Sequence, residues 1–276
     1  MLKRTTDNAK SVKAAEAFLR RAAKLLRSPR EDAEGGLRFG VDLGTATVVL
    51  TAVDEAGSPV YWDFARCNAV RDGVVVNFSD AVDAVRKLKA EAEAALGIEV
   101  EAAATAFPPN VPEAEARACR FVLENAGIEC RVLTDEVSAA QMLLRLSDAV
   151  IVDVGGGSTG VGIVQNGKIV LLDDRPGGGH HLDLIVAGAL KVSVEEAEDI
   201  KRTGRKDLTA ILRPGVERIA ASIQSQVGGR TVSSVHLVGG AVRVPKADEI
   251  VERFLNIPTV AYPHSELVTP FGIALS

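Results

Sequence analysis

A unit that occurs twice limits this chain more than any other feature. Arg38–Val60 reads RFGVDLGTATVVLTAVDEAGSPV, and Ala149–Val170 reads AVIVDVGGGSTGVGIVQNGKIV. Each copy is an apolar run ending in Asp-x-Gly, a turn of small residues, a second apolar run, a turn signal (Glu55-Ala56-Gly57 or Gln165-Asn166-Gly167) and a third run. That is the pattern of a three-strand meander. The two aspartates, Asp42 and Asp153, stand 111 positions apart. Strands alternating with helical periodicity after each copy predict an α/β chain of two similar lobes that face each other.

The apolar spacing predicts helices over 79–96, 112–126 and 135–146 after the first copy, with strands at 100–106 and 129–133. After the second copy it predicts helices near 180–191, 194–203, 207–227 and 246–255, a strand at 234–238 and a last short helix over 267–275. The expected division is a first lobe over 37–147 joined by 267–276, a second lobe over 148–266, and a separate segment, 1–36, ahead of both.

That segment differs from the rest in charge. The chain of 276 residues carries a net charge of −5, with 47% apolar and 25% charged residues, as in soluble folded domains. Residues 1–30 hold nine Lys or Arg against two acids, so an acidic body follows a basic arm. A basic footprint confined to an arm argues against a nucleic-acid binder. Val12, Ala15, Leu19, Ala22 and Leu26 recur at helical spacing, with Lys10, Lys13, Arg20, Arg21, Lys24 and Arg27 on other faces. Residues 8–28 therefore read as an amphipathic basic helix, closed by Ser28-Pro29 and followed by a polar linker, PREDAEGG. Such a helix either folds back on its own body or docks on a membrane, a protein shell or a partner. Cys67, Cys119 and Cys130 form neither a disulfide framework nor a zinc pattern and read as buried small residues in a reducing cytoplasm.

Glycine turns between strands let backbone N–H groups approach an anion. Gly155-Gly156-Gly157 and Gly177-Gly178-Gly179 both suit that role. Gly155, Gly157 and Gly160 also spell G-x-G-x-x-G, but a dinucleotide fingerprint needs a helix next, and Val161–Val164 leads into the hairpin signal Asn166-Gly167. Gly162–Lys168 falls short of a P-loop because Ile169 stands where a hydroxyl should hold magnesium. What remains is an aspartate before each of two facing turns. Asp42 and Asp153 can share one hydrated divalent cation while the turn amides and the hydroxyls of Thr45, Thr47 and Ser158 hold phosphate oxygens. His180 and His181 are adjacent, so on a helix they diverge and do not make a metal pair.

These residues resemble the actin-like ATPase superfamily, which includes the DnaK-type heat-shock chaperones. Phe39–Thr47 (FGVDLGTAT) looks like its first phosphate motif, Val152–Thr159 (VDVGGGST) like its second, and His236–Pro245 (HLVGGAVRVP) like its adenosine motif. The resemblance implies a two-lobed, ribonuclease H-like fold with duplicated βββαβα lobes around a nucleotide cleft. It further implies ATP or ADP with Mg as cofactors. Asp42 and Asp153 would hold Mg through water, and Gly44, Thr45, Thr47, Gly155, Gly156, Gly157, Ser158, Gly178 and Gly179 would line the phosphates. Leu133–Gln141 (LTDEVSAAQ) resembles the first connecting helix, so Glu136 matches the glutamate that orients the attacking water, with Thr45 and Asp153 beside it. Glu198–Gly204 (EDIKRTG) resembles the segment in which Glu198 and Lys201 contact the ribose and Arg202 covers the adenine. Gly239, Gly240 and Arg243 would close the other adenine face.

Within that superfamily the runs NAVRDGVVVNF (68–78), AGIECRVLTDE (126–136) and VSVEEAEDIKRTG (192–204) resemble the ethanolamine-utilisation EutJ family. That likeness implies a cytoplasmic, chaperone-like protein of ethanolamine breakdown in bacterial microcompartments. Its partner would be a protein client, an ethanolamine-pathway enzyme or a shell component, and its ATPase activity would be weak. Ala46 and Gly160 replace a hydroxyl and an acid of the heat-shock ATPases, Val137 a proline and Ala241 a serine; these changes touch hydrolysis more than binding. The alternative within the superfamily is a nucleotide-gated assembly or scaffold protein.

Overall fold

The computed structural model describes residues 2–33, 35–67, 69–71, 74–204 and 206–276. Glu34 of the expected linker, and Asn68, Asp72 and Gly73 of the NAVRDGVVVNF run, lie outside the described residues. The chain opens with α1 (Leu2–Ala22). The first duplicated unit follows as β1 (Arg38–Leu43), β2 (Thr47–Val53) and β3 (Pro59–Arg66), then a small hairpin of β4 (Val70–Arg71) and β5 (Val74–Val75). Next come α2 (Phe78–Leu96), β6 (Ala102–Phe107), α3 (Glu113–Asn125), β7 (Glu129–Asp135) and α4 (Glu136–Leu144). The second unit is β8 (Ala149–Val154), β9 (Ser158–Gln165) and β10 (Lys168–Pro176). After it run α5 (Gly179–Leu190), α6 (Val194–Thr203), α7 (Thr209–Val227), β11 (Val235–Val238), α8 (Ala247–Leu255), β12 (Thr259–Ala261) and α9 (Val268–Ala274).

The strands build two five-stranded sheets of one topology, β3-β2-β1-β6-β7 and β10-β9-β8-β11-β12. In each, the meander is antiparallel and the two later strands add in parallel. The registers coincide as well: Asp42 lies opposite Val49 and Asp153 opposite Gly160, so both aspartates sit at the same place in their frames. Both meanders also carry a bulge at the same step, one extra residue between Pro59 and Tyr61 and one between Ile169 and Leu171.

Three large apolar clusters, with a small fourth where α4 and α9 meet the first sheet, hold this together. One lies under the first sheet with α2 and α3, and a second lies under the other sheet with α5, α7 and α8. The third joins α1, α4 and α9, and includes Leu19, Val137, Leu144, Ile151, Phe271 and Leu275. Helix α4 starts with a side-chain cap, Asp135 accepting from the Ser138 N–H at 2.7 Å. It buries Val137, Ala139, Ala140, Leu143 and Leu144 because it is enclosed from several sides. Helix α9 lies against it so closely that a Cβ on Gly272 would stand 2.0 Å from the Ala139 carbonyl oxygen. Only glycine permits that approach.

The arm departs from the expected helix over 8–28 with a free linker. The α-helix ends at Ala22, and a 3-10 turn over Ala23–Leu25 follows. The cause is β3: Trp62 donates its indole N–H to the Ala22 carbonyl at 2.9 Å, and Leu26 pairs with Trp62 as a short bridge. Arg27 and Arg30 then donate backbone N–H groups to Trp62 and Val60 carbonyls at 3.0 and 2.9 Å. Their side chains pair with the buried Asp63 and Asp54. Of the two readings of the arm, folding back on the body is the one observed: Ala15, Phe18, Leu19 and Ala22 are buried, Phe18 edge-on to Phe271.

Candidate functional site

The two Asp-x-Gly turns meet between the sheets. A Cβ placed on Gly156 would lie 3.1 Å from Thr45 Cβ, so the second turn abuts the first. Asp42, half-buried, leads into the turn of Gly44, Thr45 and Ala46, and Thr47 begins β2. Asp153 is buried near the end of β8, where Thr269 from α9 donates its hydroxyl to Asp153 Oδ2 at 2.5 Å. Glu136, half-buried, opens α4.

Electrostatics tie these three carboxylates together. Burial and the Asp153 carboxylate push Asp42 up to about 7. Burial pushes Asp153 up to about 6, while the Thr269 hydroxyl pulls in the other direction. Glu136 is held well above the carboxylate range by burial first and then by Asp153, Asp42, Asp174 and Asp135. Cys119 feels the same field: burial, and then Glu136 and Asp42, push its thiol up to about 12, which leaves it inert.

The second glycine run braces the turn beside Asp153. The backbone N–H groups of Gly177, Gly179 and His180 donate to the carbonyls of Gly157, Gly155 and Gly156 at 2.8, 2.9 and 2.9 Å. A Cβ on Gly178 would stand 2.4 Å from the Gly155 carbonyl oxygen. The Gly179 amide is thus spent on the turn, and Gly178 packs closely against it. Gly155 closes the turn with its own N–H to Ser158 O at 3.0 Å.

The expected adenosine residues divide. Gly239, at φ 91°, sits so near Asp153 that a Cβ there would lie 2.4 Å from Oδ1. The Gly239 turn therefore abuts the end of β8, and Gly240 leads into the short helical turn that carries Arg243. Arg243 is paired with Glu266 at 3.2 Å. Lys201 reaches under α5, donating to the Gly179 carbonyl at 3.0 Å and pairing with the buried Asp183 at 2.6 Å. Arg202 pairs with Asp199 at 2.9 Å. Glu198 lines a cleft of about 670 Å³ between the two halves, with Ala46, Arg66 and Cys67 on one wall and Asp199 on the other. Arg66 crosses it to Asp199 at 3.4 Å.

Sequence reasoning missed Thr269, Asp183, Arg66 and Asp199. Thr269 had one available signal: α9 follows the second duplicated unit as α4 follows the first. Asp183 had none, since its partner Lys201 lies on another helix.

Family models match two stretches, that of the cell division protein FtsA over residues 150–272 and that of the MreB/Mbl protein over 63–203. The ethanolamine utilization protein EutJ of Escherichia coli K12 is 37% identical over 259 residues, covering 94% of this chain and 92% of that protein. The chain belongs to the EutJ family. EutJ of Salmonella typhimurium is 36% identical over the same extent. The crystal structure of EutJ from Carboxydothermus hydrogenoformans superposes with a TM-score of 0.90 at 37% identity, over 96% of this chain and 98% of that one. MreB5 of Spiroplasma citri bound to ADP shares the fold at a TM-score of 0.70 and 17% identity, over 86% of this chain and 94% of that one. The EutJ fold is thus the actin-like ATPase fold. Among the described residues no helix is long and apolar enough to cross a membrane.

Proposed function

We propose that this EutJ-family chain binds Mg-ATP in the cleft between its two duplicated halves, hydrolyses it slowly, and uses lobe closure to act on a protein partner of bacterial ethanolamine utilisation. The moving parts would be residues 37–147 with 267–276, and residues 148–266. The observation that carries this reading is the crowding of Asp42, Glu136 and Asp153 where the two turns meet. Carboxylates with raised proton affinity call for a positive charge among them. Among the described residues no set of three His, Cys, Asp or Glu side chains is placed to ligate a metal directly. Asp42 and Asp153 therefore suit a cation that keeps its water shell, as magnesium does. Held there, magnesium would supply the charge that triphosphate oxygens require.

The chain's own groups have separate tasks in this scheme. Thr45, Thr47, Ser158 and the glycine turn bind and orient phosphate oxygens, and Glu198, which lines the cleft, contacts the ribose. Glu136 orients the attacking water, and would take its proton only with a cation among the three carboxylates to keep it ionised. Lys201, Arg202 and Arg243 are each engaged with an acid, so contact with a nucleoside would need an exchange of partners. A shell or membrane contact of residues 8–28 would run through Lys10, Lys13, Arg20, Arg21 and Lys24, because the apolar face of α1 is spent on the body.

The deciding experiment is calorimetric titration of Mg-ATP into the intact protein and into Asp153→Ala, with phosphate release followed in the same samples. Binding in the parent that is lost in the variant, with slow release, supports the switch; no binding to the folded parent overturns it. The likeness to MreB5 bound to ADP and AMPPNP, and to the PilM–PilN pilus biogenesis complex, favours a second reading as a nucleotide-gated scaffold. Binding without release, together with ATP-dependent sedimentation, would support that reading.

A further inference from the structure

Helix α6 forms a wall of the cleft, where Glu196, Glu198 and Asp199 line it, yet its Lys201 is engaged elsewhere. The Lys201 side chain is only 16% exposed, and both of its partners belong to α5. Its Nζ donates to the Gly179 carbonyl at 3.0 Å and lies 2.6 Å from Asp183 Oδ1. Asp183 is buried as well. Burial raises its pKa, and the charge and hydrogen bond of Lys201 lower it. A carboxylate in such a place is costly without its cation, so the two groups hold each other.

What they hold is the first turn of α5, which braces the turn beside Asp153. Gly179 is the joint: its N–H donates to the Gly155 carbonyl at 2.9 Å, and its own carbonyl accepts from Lys201. Gly177 and His180 add two more N–H groups, to the carbonyls of Gly157 and Gly156 at 2.8 and 2.9 Å. A short series of close contacts thus runs from Lys201 through Gly179 to the Gly155–Gly157 turn. Groups that stand behind a binding loop set its shape, and their loss is felt by the ligand the loop holds.

On the Mg-ATP reading of this cleft, we propose that Lys201 is a positioning residue. It fixes the first turn of α5, and through Gly179 the Gly155–Gly157 turn, in the shape that receives phosphate oxygens, and it does not touch the nucleoside. This role replaces the ribose contact that the likeness to heat-shock chaperones implies for Lys201. The two roles differ in what they recognise. A lysine on the ribose acts on any ligand that carries a ribose, with or without phosphates; a lysine behind the turn acts on phosphates, with or without a ribose.

The test is calorimetric titration of Mg-ATP into the full chain and into Lys201→Met, with adenosine and magnesium tripolyphosphate as competitors. Amide hydrogen exchange of the nucleotide-free proteins runs alongside. Mg-ATP and magnesium tripolyphosphate should each bind the variant about tenfold more weakly, with adenosine changed by less than about twofold. The amides of Gly155, Gly177, Gly179 and His180 should exchange faster, while those of the first sheet exchange as in the parent. Asp183→Asn, which leaves the lysine in place, should give the same split at about threefold, and it serves if Lys201→Met does not fold. A loss for adenosine equal to that for Mg-ATP, with tripolyphosphate unchanged, would overturn the proposal in favour of a ribose contact. Unchanged exchange at the four amides would overturn it whatever binds. Faster exchange in a chain whose parent binds none of the three ligands would support the tie of Lys201 to the turn and overturn the Mg-ATP reading alone.

Discussion

The two halves of the molecule share a topology, a register and even a bulge, yet Val60 is buried in the core while its counterpart Val170 is open. Their likeness is greatest where they face each other and least on the outside. Asp42 and Asp153, each leading a glycine turn, meet in the cleft and share one electrostatic problem. The outer edges carry no such shared constraint, and there the arm lies along β3 alone. Duplication thus accounts for the site, and divergence accounts for the surfaces around it.

The largest effects should come from the layer between the halves, where neither can change alone. Gly272→Ala places a methyl against the Ala139 backbone and should cost about 3 kcal/mol in denaturant titration. Gly188→Ala, on an outer helix with open space around it, should instead stabilise by about 0.5–1 kcal/mol. Equal effects at the two sites would refute the picture of a tight central layer and looser outer helices. The arm is the next test. Leu19→Ala removes a fully buried side chain and should lower stability by about 3 kcal/mol. An appendage that merely rests on the body would leave the unfolding midpoint unchanged.

Much of this organisation is legible in the amino-acid pattern. The helix over 194–203 is found where the spacing places it, and α2, α3, α7 and α8 start or stop within a residue or two of expectation. These helices are amphipathic and closed by caps, such as Asn77 and Gly97 for α2, so local chemistry writes their ends. Strands β4, β5 and β12 were not legible, because two or three residues hold no periodicity. Residues 26–28 read as the end of the helix and 29–30 as linker because their order comes from the β3 edge, which is distant in sequence. At the site, the two aspartates and their turns are legible as motifs and do come together. The ties of Lys201 to Asp183, Arg243 to Glu266 and Arg66 to Asp199 depend on tertiary placement that no spacing encodes.

The matched edge acids give a smaller and more discriminating comparison. Asp63 accepts from the Phe64 N–H at 2.7 Å and pairs with Arg27 while buried; Asp173 has exposed partners. Asp63→Ala should cost about 2 kcal/mol, because buried polar partners lose their acceptor. Asp173→Ala should cost less than about 0.5 kcal/mol. A similar loss at both positions in thermal unfolding would mean that β10 is covered in solution.

The smallest effect concerns pH, and it separates the halves at one buried position. Register places His236 in the second sheet where the first has Ala104. Burial lowers the His236 pKa to about 4; its Nδ1 lies 2.7 Å from the Tyr262 hydroxyl and its Nε2 2.9 Å from Ser234. Tyr262 is itself raised, by burial first and then by Glu16 on α1, so no facing group offers a charge that would ease protonation at neutral pH. The unfolded chain takes up a proton near the ordinary histidine value of about 6.5, and the folded one does not until about 4. Stability is therefore intact above that unfolded value and falls as pH drops through the window, by about 1 kcal/mol per unit. The raised acids of the cleft act with opposite sign over part of the same range, so the readout is the difference between parent and His236→Gln. A parent that loses stability faster than the variant between pH 6.5 and 4 would place the titrating group in the second sheet. Parallel curves would mean that His236 is protonated in the fold and that the two central strands differ in size alone.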